Sequence, residues 1–384
     1  MKSSAGAPPA VRLTWLDATK GISILWIVYF HFFGAYSSER YPWPLSLSTF
    51  PSFMSTCGPS TFWDTVECFL EGCVAALIQR GPNAVGVFLI LSGFGLTYSL
   101  AKSGGPKGGW LEWYRRRLLR LFPMYWVAHL VYLVSPFMHR SDPIDHRFLL
   151  SLFGDRVYPV ETMFYYLVPS WWFFGLLLEL YLVFPLLFRL LEKLRPVLFL
   201  ILCIAVTVVS RYILFGLLQA NGNYLQGAFF GGRLWEFATG MSLAMLYRER
   251  PSSMEVGMFS APMLLLGITV YGLGLYAYQP NFLYVFSDGL IATGLSIILA
   301  HVTRWGDKHL PFFGILFSTV GIYSYGLYLL HQPYVIHFGH ELHGFGMSAF
   351  LLFATIVIAI VAVGGLVIER QVNRLASRLL DRST

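Results

Sequence analysis

The first long apolar run of the chain, residues 16–31, reads LDATKGISILWIVYFH, with Lys20 near its start and His31 at its end. An α-helix has about 3.6 residues per turn and rises about 1.5 Å per residue, so about three turns separate Lys20 from His31. Both side chains therefore lie on nearly the same helix face, about 16 Å apart along the axis. The run predicts a transmembrane helix with a cation at the membrane edge and an imidazole deep in the bilayer, where ionisable groups are costly and usually functional.

Composition extends this prediction to the whole chain. Of the 384 residues, 56% are hydrophobic and 12% are charged, whereas ordinary soluble domains contain about 25% charged residues. This composition excludes a single soluble core, and several runs reach the roughly 20 apolar residues that cross a bilayer. We therefore predict an all-α, polytopic membrane protein in which residues 1–384 form one membrane domain. The first run is predicted to be a membrane helix rather than a cleaved signal peptide, because it is too long and lacks a small-residue cleavage site.

The predicted membrane spans are ten in number: 18–37, 82–101, 118–137, 168–188, 196–216, 230–247, 259–278, 284–303, 313–332 and 347–368. Residues 61–79 form a weaker helical segment that we expect to lie at the interface or to fold back, and 147–167 is ambiguous. With ten spans, most of the 27 Lys and Arg residues fall on one side of the membrane. The positive-inside rule then places both termini in the cytoplasm, with tails 1–15 and 370–384. The net charge of +7 is thus a topology signal, and no nucleic-acid partner is expected.

The four cysteines show no metal-ligand spacing, and no metal is expected. Cys57, Cys68 and Cys73 share one predicted non-cytoplasmic segment, whereas Cys203 lies in an apolar run. One disulfide with one cysteine left over and three unpaired thiols are both compatible with the sequence.

Two predicted non-cytoplasmic loops, 36–63 and 218–229, are rich in polar side chains and aromatic rings. Such loops suit stacking on sugar rings and hydrogen bonding to hydroxyl groups. Aromatic belts at membrane interfaces have a similar composition. The sequence leaves both interpretations open.

A basic cluster, Arg115-Arg116-Arg117 with Arg120, follows the glycine-rich turn 103–109. Arg117 and Arg120 are three residues apart and so share a helix face. Guanidinium groups bind phosphate bidentately, which makes Arg116, Arg117 and Arg120, together with Lys20, candidates for holding a polyphosphate at the membrane edge. A topology signal alone would explain the same charges.

Further polar residues lie within the predicted spans. Ser92 belongs to the small-residue stretch 86–97, for which close helix packing is the default interpretation. Glu236 follows Arg233 by three residues and is in position to pair with it. The remaining candidates are the acids Glu179 and Asp288 and the histidine His331, which precedes Pro333. Intramembrane ionisable groups of this kind are functional candidates.

Together these segments resemble the acyltransferase-3 family of integral-membrane acyltransferases. The matching features extend over almost the whole chain: Lys20-x10-His31, residues 87–94, Arg117-x-x-Arg120 leading to Pro123 and Tyr125, residues 172–185, Arg233-x-x-Glu236-Phe237-x-x-Gly240, and residues 323–333. Two features depart from the family pattern. Lys20 stands where arginine is commoner, and the local frame around Glu179 differs.

The resemblance implies a ten-helix acyl-transfer domain with an acyl-CoA donor bound from the cytoplasm, acetyl-CoA being the default. It implies a hydroxyl acceptor on a carbohydrate or glycolipid, and polysaccharide-assembly proteins as partners. It carries the functional roles over to Lys20, His31, Arg117 and Arg120. We expect a multi-pass protein surrounded by membrane lipid, in the bacterial cytoplasmic (inner) membrane.

The expected mechanism uses His31 as general base or as transient acyl carrier. Ser92 or Tyr125 would stabilise the developing oxyanion, and Glu236 or Glu179 would orient the imidazole. A transporter or flippase for a lipid-linked glycan is the alternative function, in which the intramembrane His, Glu and Asp residues would line a substrate path.

Overall fold

The computed structural model describes residues 13–37, 40–58, 60–137, 142–159, 162–219, 227–278, 282–310 and 312–381. Every regular element in these ranges is helical, which confirms the all-α class. The predicted tails and the loop 218–229 lie partly outside the described residues, because 1–12, 220–226 and 382–384 do not belong to these ranges.

Fifteen α-helices occur in the described ranges. In chain order they are α1 Thr14–Tyr36, α2 Phe50–Thr56, α3 Phe62–Gln79, α4 Ala84–Lys102, α5 Gly109–Val134, α6 His146–Leu152, α7 Trp172–Lys193, α8 Pro196–Arg211, α9 Leu234–Glu249, α10 Pro251–Met258, α11 Ala261–Ala277, α12 Tyr284–His309, α13 Phe313–Ile322, α14 Ser324–Glu341 and α15 Met347–Asp381. The ambiguous segment 147–167 contains only the short helix α6, followed by irregular backbone.

Six helices of the described chain are long and apolar enough to cross a membrane, or eight if two bent helix pairs each count as one span. All ten predicted spans fall on helices. However, α5 carries the arginine cluster and α9 has only 16 residues. The number ten and the cytoplasmic placement of the termini therefore remain predictions.

The predicted span 313–332 is broken. Helices α13 and α14 meet at Tyr323 with a bend of 80°, and α10 and α11 form a second bent pair at 63°. A side chain at Gly321, near the end of α13, would overlap the carbonyl oxygen of Asp17 on α1. Close backbone packing thus holds α13 against the start of α1. The bend then lets α14 pack against α1 as well.

Helix α3 runs on into α4 through a single 3-10 turn, Gly81–Asn83, so Phe62–Lys102 is one helical stretch of 41 residues. The segment 61–79 therefore does not fold back. Such a stretch is about 60 Å long, roughly twice the hydrocarbon thickness of a bilayer. If α4 spans the membrane, much of α3 projects beyond it.

Small residues let the central helices approach closely, as predicted for 86–97. A Cβ at Gly93 would overlap the carbonyl oxygen of Phe237, and one at Gly240 would overlap that of Ile90. Helices α4 and α9 therefore cross with their backbones in contact. Gly21 and Gly321 play the same part where α1 crosses α13. These crossings leave α1 surrounded by α4, α13 and α14.

A disulfide joins Cys57 and Cys68, while Cys73 is exposed and free and Cys203 is buried. This resolves the alternative that the sequence left open. Disulfides persist in oxidising compartments. The bond therefore agrees with the predicted non-cytoplasmic placement of residues 37–79.

Candidate functional site

His31 is hydrogen-bonded to a second histidine. Its Nδ1 lies 2.8 Å from Nε2 of His331, and the two rings are stacked with centroids 5.0 Å apart. His331 is fully buried. The bend between α13 and α14 brings His331 next to a residue 300 positions earlier in the chain.

The carbonyl groups around His331 determine the tautomer of both rings. Nδ1 of His331 lies 2.8 Å from the carbonyl oxygen of Tyr328 and 3.1 Å from that of Leu327. A carbonyl oxygen only accepts, so this Nδ1 carries the proton and, in the neutral ring, Nε2 is an acceptor. Nδ1 of His31 must then donate to it. Nε2 of neutral His31 is left with an unprotonated lone pair.

His31 lines a mainly apolar cavity of about 260 Å³, here called the His31 cavity. Gln332 and Ser170 are among its few polar walls. The backbone N–H of Ser170 donates to Oε1 of Gln332 over 2.5 Å. Because an N–H cannot accept, the NH₂ group of Gln332 remains as a hydrogen-bond donor near His31. The Ser170 hydroxyl is buried and has no protein partner.

The predicted phosphate-binding cations meet in one place. Lys20, Arg117 and Arg120 line a second cavity of about 320 Å³, here called the Lys20 cavity. Ser92 lines it too, and so does Glu369 of α15, whose carboxylate accepts from the N–H of Gly326 at 2.7 Å. Three cations against one carboxylate make this cavity electropositive. Lys20 also contacts Asp17 at 4.0 Å.

Arg116 points away from this cavity. It bonds to Glu112 at 2.9 Å and to the carbonyl of Lys107 at 2.7 Å, and it lines a smaller cavity together with Arg117. An anion in the Lys20 cavity would therefore meet Arg116 only if it extended past Arg117.

The His31 and Lys20 cavities adjoin. Phe88, Phe173 and Tyr328 line both of them, and Phe173 makes edge contacts with the other two rings at 6.4 and 5.8 Å. These three aromatic side chains form the boundary between the cationic cavity and the imidazole. A flexible arm passing between them would connect the two.

Glu236 belongs to a buried group of four charged residues. Arg233 bonds to Glu236 at 3.2 Å and to Asp288 at 3.0 Å, and Arg211 bonds to Asp288 at 2.5 Å. The pairing of Arg233 with Glu236 is as the sequence indicated. Arg233 and Asp288 line a third cavity of about 420 Å³, here called the Asp288 cavity.

Two other predicted residues lie elsewhere. A carboxylate oxygen of Glu179 accepts from the N–H of Phe230 at 3.0 Å. Tyr125 is fully buried, stacks on Phe174 and bonds with Arg156. An acid was expected to orient the His31 ring. Instead, Nδ1 of His31 is hydrogen-bonded to His331.

Three residues of these cavities were missed by sequence reasoning. Gln332 directly follows His331, and only this position in the sequence indicated that it could belong to the site. Ser170 and Glu369 gave no signal, because an isolated serine, or an acid just after a predicted membrane span, is common. Ser170 lies in the 3-10 turn Pro169–Trp171, and only the packing of this turn, α14 and α15 brings the three residues to the cavities.

The chain matches a known protein-family model over nearly its whole length. The family model Acyl_transf_3, described as an acyltransferase domain, matches residues 13–370, nearly the whole chain. No curated protein and no solved structure shows a significant match.

Proposed function

The chain belongs to the acyltransferase-3 family, and on that premise we propose that this membrane acyltransferase moves an acyl group from acyl-CoA to a hydroxyl of a carbohydrate or glycolipid, with His31 as general base. The observation that carries the proposal is the adjacency of an electropositive cavity to a cavity containing an imidazole with a free Nε2 lone pair.

The Lys20 cavity suits the anionic end of the donor. Arg117 and Arg120 bind phosphate oxygens bidentately, and Lys20 adds a compact positive charge. The nucleotide end of CoA carries several phosphates, whereas its pantetheine arm is long and uncharged. With the phosphates held here, the arm passes the Phe88, Phe173 and Tyr328 boundary and presents the thioester to His31. Acetyl is the proposed acyl group.

In the proposed reaction, Nε2 of His31 takes the proton of the acceptor hydroxyl. The hydroxyl oxygen then attacks the thioester carbonyl carbon, and the NH₂ group of Gln332 donates to the oxyanion that develops. The carbon–sulfur bond breaks as the ester forms, and the imidazolium returns the proton to the leaving thiolate. Nε2 of His331 accepts from Nδ1–H of His31 throughout this cycle.

The test uses purified full-length protein with radiolabelled acetyl-CoA, together with mass spectrometry of surface glycans from cells that make each variant. For His31→Ala we expect loss of glycan acylation with acetyl-CoA binding retained. For Arg120→Ala we expect a dissociation constant for acetyl-CoA raised about tenfold, the effect of losing one charged phosphate contact. Normal acylation by His31→Ala, or unchanged donor binding by Arg120→Ala, would contradict the corresponding assignment.

The same measurements separate the enzyme from a transporter or flippase. A transporter would show no saturable acetyl-CoA binding and would leave the thioester intact. It would alter the location of a glycan without altering its mass.

A further inference from the structure

The Asp288 cavity has no part in the donor site or in the chemistry described above. It is larger than the other two cavities and is lined by Trp43, Asn83, Arg233, Asp288 and Tyr284. It also adjoins the His31 cavity, because Phe30 and Pro82 line both. Along α1, the three cavities therefore follow one another from Lys20, past His31, to the loop after the helix.

Four charged residues form one hydrogen-bonded group at this cavity, and Arg80 is a further cation of its lining. Arg211 and Asp288 are paired at 2.5 Å, Arg233 joins Asp288 to Glu236, and Arg211 and Glu236 are almost completely buried. Two guanidinium groups face two carboxylates, so the group is neutral overall. Burying so many charges costs more than an apolar replacement would, and stability alone therefore gives no reason for them.

Such a group presents fixed donors and acceptors side by side. Arg233 and Asp288 are partly accessible from the cavity, with 14% and 18% of their side chains exposed. The amide of Asn83 donates to the Tyr271 hydroxyl at 2.9 Å, which leaves its carbonyl oxygen as an acceptor. A hydroxyl group donates and accepts at once, so it can bond to the carboxylate, the amide oxygen and the guanidinium groups of this lining.

An aromatic wall completes the cavity and leads to the histidine. Trp43 is half exposed, and its ring lies 5.5 Å from that of Phe30, which in turn lies 5.3 Å from the His31 ring. The face of an indole is an apolar platform for the C–H face of a sugar ring. A ring stacked on Trp43 would extend along Phe30 toward Nε2 of His31.

We infer that the Asp288 cavity is the acceptor subsite and that it takes a polyhydroxylated sugar ring, stacked on Trp43 and hydrogen-bonded by Asp288, Arg233 and Asn83. This inference rests on the proposed function, because it gives the acceptor of that reaction a place. Donor and acceptor then reach His31 from opposite ends of α1.

The experiment compares Trp43→Ala with Trp63→Ala, a matched control. Trp63 is an exposed tryptophan of α3 that lines none of the three cavities. Surface glycans of cells making each variant are analysed by mass spectrometry, and the purified variants are titrated with radiolabelled acetyl-CoA. We expect Trp43→Ala to reduce glycan acylation by about tenfold and Trp63→Ala to leave it unchanged, with acetyl-CoA binding equal in both.

A second pair tests the kind of contact. Trp43→Phe keeps an aromatic face and is expected to retain more acylation than Trp43→Ala. Equal acylation by wild type and Trp43→Ala would overturn the acceptor subsite while leaving the proposed function standing. A wild-type protein that neither binds acetyl-CoA nor acylates a glycan would instead refute the proposed function itself.

Discussion

At the scale of single residues, the hydrogen bond between His31 and His331 has the largest chemical consequence. A carbonyl acceptor behind His331 leaves each neutral ring only one tautomer, and the lone pair on Nε2 of His31 follows from it. The sequence indicated both histidines as candidates. It predicted an acid as the orienting group, because carboxylates usually hold catalytic imidazoles.

His331→Ala removes the acceptor for Nδ1–H of His31. We expect kcat for acyl transfer to fall by about 100-fold or more, because the imidazole loses its fixed tautomer. His331→Gln, whose amide oxygen can still accept, should recover part of the rate. Acetyl-CoA binding should be the same in both variants. A glutamine variant no better than the alanine variant would argue against a positioning role.

Gln332→Glu tests the proposed oxyanion donor. The carboxylate can still accept from the N–H of Ser170, but the NH₂ donor is lost. We expect kcat to fall by roughly 100- to 1000-fold with little change in the dissociation constant for acetyl-CoA, as for other single oxyanion donors. Turnover equal to that of wild type would exclude this role for Gln332.

At the scale of elements, glycines determine how closely the helices cross. The small residues of 86–97 predicted close helix packing. This packing occurs at Gly93 and Gly240, where α4 crosses α9. The bend at Tyr323 was not predicted, because the hydrophobic run through 313–332 is continuous. Its direction depends on where α13 meets the backbone of α1.

Gly240→Ala and its control Gly272→Ala test the close packing of α4 against α9. A methyl group at Gly240 would overlap the Ile90 carbonyl oxygen, whereas at Gly272, on α11, it would meet open space. We expect the first change to lower the melting temperature in detergent and the second to leave it equal or slightly raise it, because alanine is the better helix former by about 1 kcal/mol. Equal melting temperatures would refute close contact between α4 and α9.

At the scale of the whole molecule, the orientation in the membrane decides which cavity faces which compartment. The positive-inside rule predicts that the Lys20 end of α1 faces the cytoplasm. The disulfide between Cys57 and Cys68 agrees with a position of the other end in an oxidising compartment. Both observations favour the same direction for α1, with the proposed donor site at one end and the proposed acceptor site at the other.

The state of the cysteines checks this orientation. When protein from cells is denatured without reductant and treated with a polyethylene-glycol maleimide, we expect Cys73 and Cys203 to react and the other two cysteines to be protected. After reduction, all four should react. Four reactive thiols before reduction would place residues 37–79 in a reducing compartment and reverse the predicted topology.

The sequence by itself determined the class of fold and the family, and it predicted Lys20, Arg117 and Arg120, which line one cavity. Length, hydropathy and the spacing of Lys20, His31, Arg117 and Arg120 are local properties of the chain, and helical periodicity converts them directly into shared faces. The tertiary structure alone decided the partners of these residues. His331 reaches His31 across 300 positions, Glu369 joins the Lys20 cavity from α15, and Trp43 comes to lie near Asp288. Such contacts depend on how bent and close-packed helices are arranged around α1, and no periodicity along the chain records that arrangement.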